Sequence, residues 1–284
     1  MISAQNTDPS SDEEQKIAPK LAFFTAVQFL TRLPVPGAMS GTMEQYQAAL
    51  RASVVYFPVV GVFIGMFTAL TYTTLGYFWS PVVAATLAIA CEAMLTGAFH
   101  EDALADATDA LGGGWTREQV LEILKDSRHG TYGVLALVLG VTLRIALTSN
   151  LGTAGAWLAI PFSAGMGRWS ILILMSKLEP IADRHTMARD VGSRPTLRTI
   201  LTGFLGPGVA IAFSLGGLAF FAAEASLLSQ ALLGFGLAIF LSMALTLYYT
   251  GLVRRRVGGV TGDFLGANCY LVQLVTLLGM QTIK

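Results

Sequence analysis

Charge is scarce in this sequence: Lys, Arg, Asp and Glu make up 13% of its 284 residues, against about 25% in soluble globular chains. The two signs balance at 18 residues each, so no net field recruits nucleic acid or an acidic partner. Cysteine is limited to Cys91 and Cys269, both in apolar segments. There they read as small hydrophobes packed between helices, and they supply neither a disulfide framework nor a redox compartment. Internal repeats, heptad runs and low-complexity tracts are lacking beyond the first twenty residues, so residues 21–284 read as one domain. Apolar residues are sparse at the start, where Asn6, Ser10, Ser11, Asp12, Glu13, Glu14 and Gln15 dominate. Residues 1–20 are therefore expected to form a disordered polar tail and not the basic start of a signal peptide.

What the chain has in excess is apolar surface: 54% of its residues are hydrophobic, and its mean hydropathy is +0.61. Such a surface needs lipid to cover it, and the fold class expected is all-α, a polytopic transmembrane bundle. Apolar runs at 52–79, 81–99, 131–149, 154–178, 200–222, 226–251 and 264–280 each approach the length that crosses about 30 Å of hydrocarbon as a helix. Seven spans is the estimate. The run at 21–33 is too short and ends at Pro34 and Pro36, so it is expected to lie at the interface or to re-enter.

Cations sort by side. Arg51, the loop with Arg117, Lys125 and Arg128, the loop with Lys177, Arg184, Arg189, Arg194 and Arg198, and the run Arg254, Arg255, Arg256 all fall on one face. The alternating loops, near Ser80, at 150–153 and at 223–225, carry no Lys or Arg. The positive-inside rule makes the charged face cytoplasmic. Large polar loops on one side alone suit an enzyme that works from the cytosol better than a transporter, which needs access from both.

The densest charge is His100-Glu101-Asp102-Ala103-Leu104-Ala105-Asp106-Ala107-Thr108-Asp109. Asp102, Asp106 and Asp109 are spaced i, i+4, i+7, which on a helix places them within an arc of roughly 60°. Leu104, Ala107 and Leu111 fall on the opposite face. Stacked carboxylates repel unless cations offset them, and Mg²⁺, a hard ion that prefers oxygen ligands, is the natural counter-charge. Asp102, Asp106, Asp109 and Glu101 are the candidate metal ligands; a solvated acidic face is the plainer reading of the same pattern. Next come Gly112, Gly113 and Gly114, then Thr116 and Gln119, whose spacing is a capping box and predicts a helix to about Arg128. Lys125, Asp126 and Arg128 close that segment. Lysine and arginine beside an acidic metal cluster are what a phosphate or diphosphate substrate requires, although contact with lipid headgroups accounts for them too.

Ionisable residues within spans are costly and mark candidate function. Glu92, Arg144 and Arg168 qualify, with Arg168 set among Gly165 and Gly167. Arg168 is assigned to substrate phosphate, with an ion pair to Glu92 or to the acidic stripe as the structural alternative. His100, which adjoins the stripe, and Asp263, which opens the last span and could equally cap its helix, complete the candidate substrate contacts.

Taken together, Phe29-Leu30-Thr31-Arg32-Leu33-Pro34-Val35-Pro36, Tyr56-Phe57-Pro58-Val59-Val60-Gly61, the stretch from Gly97 to Asp106, Lys125-Asp126-Ser127-Arg128-His129-Gly130-Thr131-Tyr132-Gly133, and Gly262-Asp263-Phe264-Leu265-Gly266-Ala267 resemble the cobalamin synthase family, the adenosylcobinamide-GDP ribazoletransferases. Ala103 stands where that family is expected to have glycine, and His129 where it is expected to have an apolar residue. The resemblance implies an enzyme of the bacterial inner membrane that joins adenosylcobinamide-GDP to α-ribazole or its 5′-phosphate, with Mg²⁺, releasing GMP. It implies that Asp102, Asp106 and Asp109 hold metal and diphosphate, and that one of them or Asp126 accepts the proton of the attacking hydroxyl. Lys125, Arg128 and Arg168 would then meet phosphates. Membrane lipid is the expected surrounding, with self-association or contact with other cobalamin-assembly enzymes compatible with it. A cation-coupled transporter is the competing reading, and a membrane scaffold for pathway enzymes a third.

Overall fold

A computed structural model describes residues 17–35, 42–181, 194–221 and 225–281. Most of the polar tail, the residues Arg184, His185 and Arg189, and the greater part of the loop at 223–225 lie outside the described residues. The described helices are α1 (Pro19–Leu30), α2 (Met43–Ser53), α3 (Phe57–Leu75), α4 (Pro81–Thr96), α5 (Phe99–Gly113), α6 (Arg117–Ile123), α7 (Thr131–Ser149), α8 (Gly152–Lys177), α9 (Leu197–Gly203), α10 (Leu205–Phe221), α11 (Ala225–Val257) and α12 (Gly262–Met280). Among the described residues no strand forms; one isolated bridge joins Pro180 and Val260.

Six helices are long and apolar enough to cross a membrane: Met43–Leu75, Thr131–Ser149, Gly152–Lys177, Leu197–Gly216, Leu228–Val257 and Gly262–Met280. A polytopic helical membrane protein follows. The expected span at 81–99 is different. Its helix stops at Thr96, and α4 and α5 meet at 89°, so the two together make either a broken span or a re-entrant pair. The cause is local: Gly97 (φ 75°) and Ala98 (φ 56°) are both left-handed, a conformation that interrupts a right-handed helix. Ala98 is the one described non-glycine residue with positive φ, and it hands the chain directly to the acidic helix. The segment at 21–33 becomes α1, only twelve residues long and shorter than a span.

α8 lies at the centre. Its most apolar stretch is wholly buried, and it packs on α3 and α12; α12 in turn packs on α5 and α11, and α5 on α7. Glycines set the closest approaches in this layer. A Cβ on Gly266 of α12 would sit 2.5 Å from the Ala103 Cβ of α5, so the two helix backbones nearly touch there.

One end of the bundle is tied by arginines that reach helix-end carbonyls. Arg256 Nη2 donates to Leu111 O at 3.2 Å and to Gly114 O, Arg117 Nε donates to Val257 O at 2.9 Å, and Arg254 Nη2 donates to Lys177 O at 2.9 Å. A cation on the free carbonyls of a helix C-terminus satisfies them and complements the dipole. The same end carries the acidic stretch, α6 and the start of α12.

Candidate active site

α5 and α7 run antiparallel, and their contacts descend in order: Asp109 at Gly130 and Gly133, Leu104 at Gly140, Glu101 at Arg144. The helical spacing did place Asp102, Asp106 and Asp109 on one helix, α5, with Leu104 and Ala107 buried behind them. Their surroundings differ sharply. Asp102 is exposed, Asp106 half-buried and Asp109 buried. Asp109 accepts the Gly130 N–H on Oδ2 at 2.7 Å and the Gly133 N–H on Oδ1 at 2.8 Å, both at the first turn of α7. It therefore acts across the helix pair as the capping anion of α7, where free amides and the dipole favour negative charge.

Glu101 turns away from the stripe. Arg144 donates to Glu101 Oε1 at 3.3 Å and to Glu92 Oε2 at 2.6 Å, while Thr68 Oγ1 donates to that same Glu92 oxygen at 2.5 Å. The Arg144 guanidinium also lies 5.7 Å from the centre of the Tyr270 ring. This cluster joins α3, α4, α5, α7 and α12 in the interior, and it sets Glu101 in an ion pair with Arg144. An ion pair of Glu92 with Arg168 was the structural alternative to a phosphate role for that arginine; the partner of Glu92 is Arg144. Arg168, expected at substrate phosphate, and His100, expected as a substrate contact, are 1% and 3% exposed. Arg168 Nη2 sits 3.5 Å from His100 Nδ1 and its Nη1 donates to Ala164 O at 3.3 Å, so both side chains are held inside the bundle rather than at its opening. Thr68 and Tyr270 escaped the sequence reading because a single polar atom in an apolar span carries no sign of its partner.

At the open end, α6 begins with the expected capping box: Thr116 Oγ1 accepts the Gln119 N–H at 3.3 Å and Gln119 Oε1 accepts the Thr116 N–H at 3.2 Å. It ends at Ile123, short of the predicted Arg128, because Leu124 through Gly130 leave the helix to bring Gly130 to Asp109. Lys125, Asp126 and Arg128 are exposed on that turn. Asp126 is clasped by Arg128, Nη2 to Oδ2 at 2.6 Å and Nε to Oδ1 at 2.9 Å. Those hydrogen bonds stabilise its charged form and hold its carboxyl down at about 2. Asp126 is thereby a weak base.

Asp106 is the focus of the remaining acids. Asp102, Asp263 and Asp109 all act on it electrostatically, and the opposing group is His129, whose Nδ1 lies 3.6 Å from Asp106 Oδ1. Asp263 stands in the first turn of α12, where its Oδ2 accepts from Thr261 Oγ1 at 3.2 Å. Sequence reasoning made it a substrate contact or a helix cap, and the fold brings it close to the stripe. Among the described residues no three His, Cys, Asp or Glu side chains converge at metal-ligand spacing. Asp102 and Asp106 are the carboxylates at this end that could hold a divalent cation. That suits Mg²⁺, which commonly takes one or two carboxylates and completes its shell with water and substrate phosphate.

The family description "Cobalamin-5-phosphate synthase" matches residues 22–281. Among curated relatives, a protein of Shewanella pealeana is 37% identical over 271 residues, covering 89% of this chain and 94% of the relative. One from Rhizobium etli is 36% identical over 263 residues, covering 90% and 95%. One from Polaromonas naphthalenivorans is 33% identical over 283 residues, covering 91% and 96%. All three are named adenosylcobinamide-GDP ribazoletransferase. No solved structure matches the chain.

Proposed function

On the premise that this chain belongs to the cobalamin-5-phosphate synthase family, we propose that it is the ribazoletransferase of cobalamin biosynthesis and that it reacts at Asp102 and Asp106. The substrates are adenosylcobinamide-GDP and α-ribazole or its 5′-phosphate. A ribose hydroxyl attacks the cobinamide-bearing phosphorus of the diphosphate, a new P–O bond forms, and the bond to GMP breaks. The observation that carries this assignment is the gathering of Asp102, Asp106 and Asp263 at the charged end of the bundle, with His129 against Asp106.

Asp102 and Asp106 would hold Mg²⁺, which when bound supplies the charge neutralisation that a diphosphate and a departing GMP require. Asp109 positions the phosphate-facing turn by fixing Gly130 and Gly133, and so sets where Lys125 can reach. Lys125 contacts phosphate, with Arg128 beside it sharing its charge with Asp126. Asp126 leaves the set of proton acceptors for the same reason, so the hydroxyl proton passes to a carboxylate at the opening: Asp102, Asp106 or Asp263. Glu101, Arg168 and His100 support the site from within.

The opening faces the cytosol of a bacterial inner membrane in this reading, supported by the cations gathered at that end and their lack in the loops at 80 and 150–153. Nothing in the fold or the matches supports a cation-coupled transporter. The test is GMP release by purified protein in liposomes supplied with both substrates and Mg²⁺; no release would overturn the assignment.

A further inference from the structure

A concave apolar feature lies away from the acidic end of α5. α2, the 3₁₀ turn Val54–Tyr56 and α3 form one continuous rod from Met43 to Leu75, and α9 and α10 pack along its flank. Between them runs an apolar groove of about 570 Å³. The wall formed by the rod includes Val55 of the 3₁₀ turn and Val59, Phe63 and Met66 of α3, and the other wall Gly206 and Val209. Gly206 makes the floor: a Cβ there would stand 2.9 Å from the Val59 N and Cα, so the backbones meet and the side chains splay outward. Phe63, Leu205 and Val209 are exposed along the rims.

Its length is informative. From Val55 to Met66 the rod rises about 16 Å, close to half of a hydrocarbon core about 30 Å thick. The groove thus starts at the charged end and spans one leaflet. At its mouth stand two arginines. Arg51 precedes Val55, and Arg198 precedes Thr202, by one helical turn, which puts each over the lining residue on its own face. Thr202 Oγ1 donates to Arg198 O at 2.8 Å, which confirms the turn. Both arginines are exposed, and among the described residues neither takes part in an ion pair.

We infer that this groove is a binding site for an anionic phospholipid of the same leaflet, with one acyl chain between α3 and α10 and the headgroup on Arg51 and Arg198. Two cations at the mouth of a leaflet-deep apolar channel match a lipid with net negative charge, and give a zwitterionic lipid of the same chains no such advantage. The inference does not depend on the assignment of the acidic site, since no groove residue belongs to it.

Native mass spectrometry of the purified full chain tests it, with phosphatidylglycerol and phosphatidylcholine of identical chains titrated separately. The wild type should take up one phosphatidylglycerol with a preference on the order of tenfold over phosphatidylcholine. R51Q/R198Q should reduce that to parity. V209W, which fills the groove from an exposed rim position, should weaken uptake of the bound lipid while keeping both arginines. Equal uptake of the two lipids by the wild type, a preference that survives R51Q/R198Q, or uptake undiminished in V209W would each overturn the proposal.

Discussion

Asp109 Oδ1 accepts the Gly133 N–H at 2.8 Å, which makes the acidic helix and the first turn of α7 one unit. Gly133 has to be glycine here, since a Cβ would collide with the Asp109 carboxylate. Asp109→Asn keeps the shape but turns an NH₂ toward one of the two amides. It should lower the thermal unfolding midpoint in detergent, by the equivalent of roughly 1–2 kcal/mol, a lost cap. An unchanged midpoint would show that the carboxylate does not hold α7.

Arg144→Met should be the more damaging change, because it leaves Glu92 and Glu101 charged and unpaired in the interior. Breaking a buried pair this way costs roughly 3–5 kcal/mol. Adding Glu101→Gln should recover part of the loss, so the double variant melts above the single one. A double variant that melts lower than R144M would contradict the shared cluster.

How far these contacts were legible depends on their range in the chain. The Thr116–Gln119 capping box and the aspartate stripe are encoded within a few residues, and both formed where spacing put them. The break at Gly97 and Ala98 was not visible, because the apolar run continues through it and masks two left-handed residues. Pairing of Glu92 with Arg144 lay beyond reach for another reason: Arg144 and Arg168 are both arginines inside spans, and only packing chooses between them. The amide partners of Asp109 were out of sight because they lie 21 and 24 residues away in the chain. Asp263, far along the chain, joined the stripe only through the close contact of α12 with α5.

That contact yields a third expectation. Gly266→Ala should push α12 from α5 at Ala103, shift Asp263 relative to Asp106, and lower turnover while the chain stays folded. Ala103→Gly removes the opposing methyl and should restore much of the rate. Steady-state turnover of the two single variants and the double variant decides it; a double variant no better than G266A would contradict direct contact.

The pH dependence follows from Asp126. Its carboxyl is held at about 2 by Arg128, below the ordinary carboxylate range, so the Asp126–Arg128 pair is intact at higher pH and is lost only as pH falls toward that value. Asp126 then contributes no step to the rate profile between about pH 5 and pH 8. Asp126→Asn should give a profile of the same shape as the wild type over that range. Loss of an acid limb in the variant would return Asp126 to the role of base.

The central claim is that Asp102 and Asp106 carry the transfer, and GMP release by Asp106→Asn measures it most directly. Purified variant and wild type in liposomes would receive adenosylcobinamide-GDP, α-ribazole and Mg²⁺, with α-helical content compared by circular dichroism. The account predicts a rate lower by on the order of a hundredfold or more with the fold retained. GMP release at the wild-type rate by a folded D106N protein would contradict it.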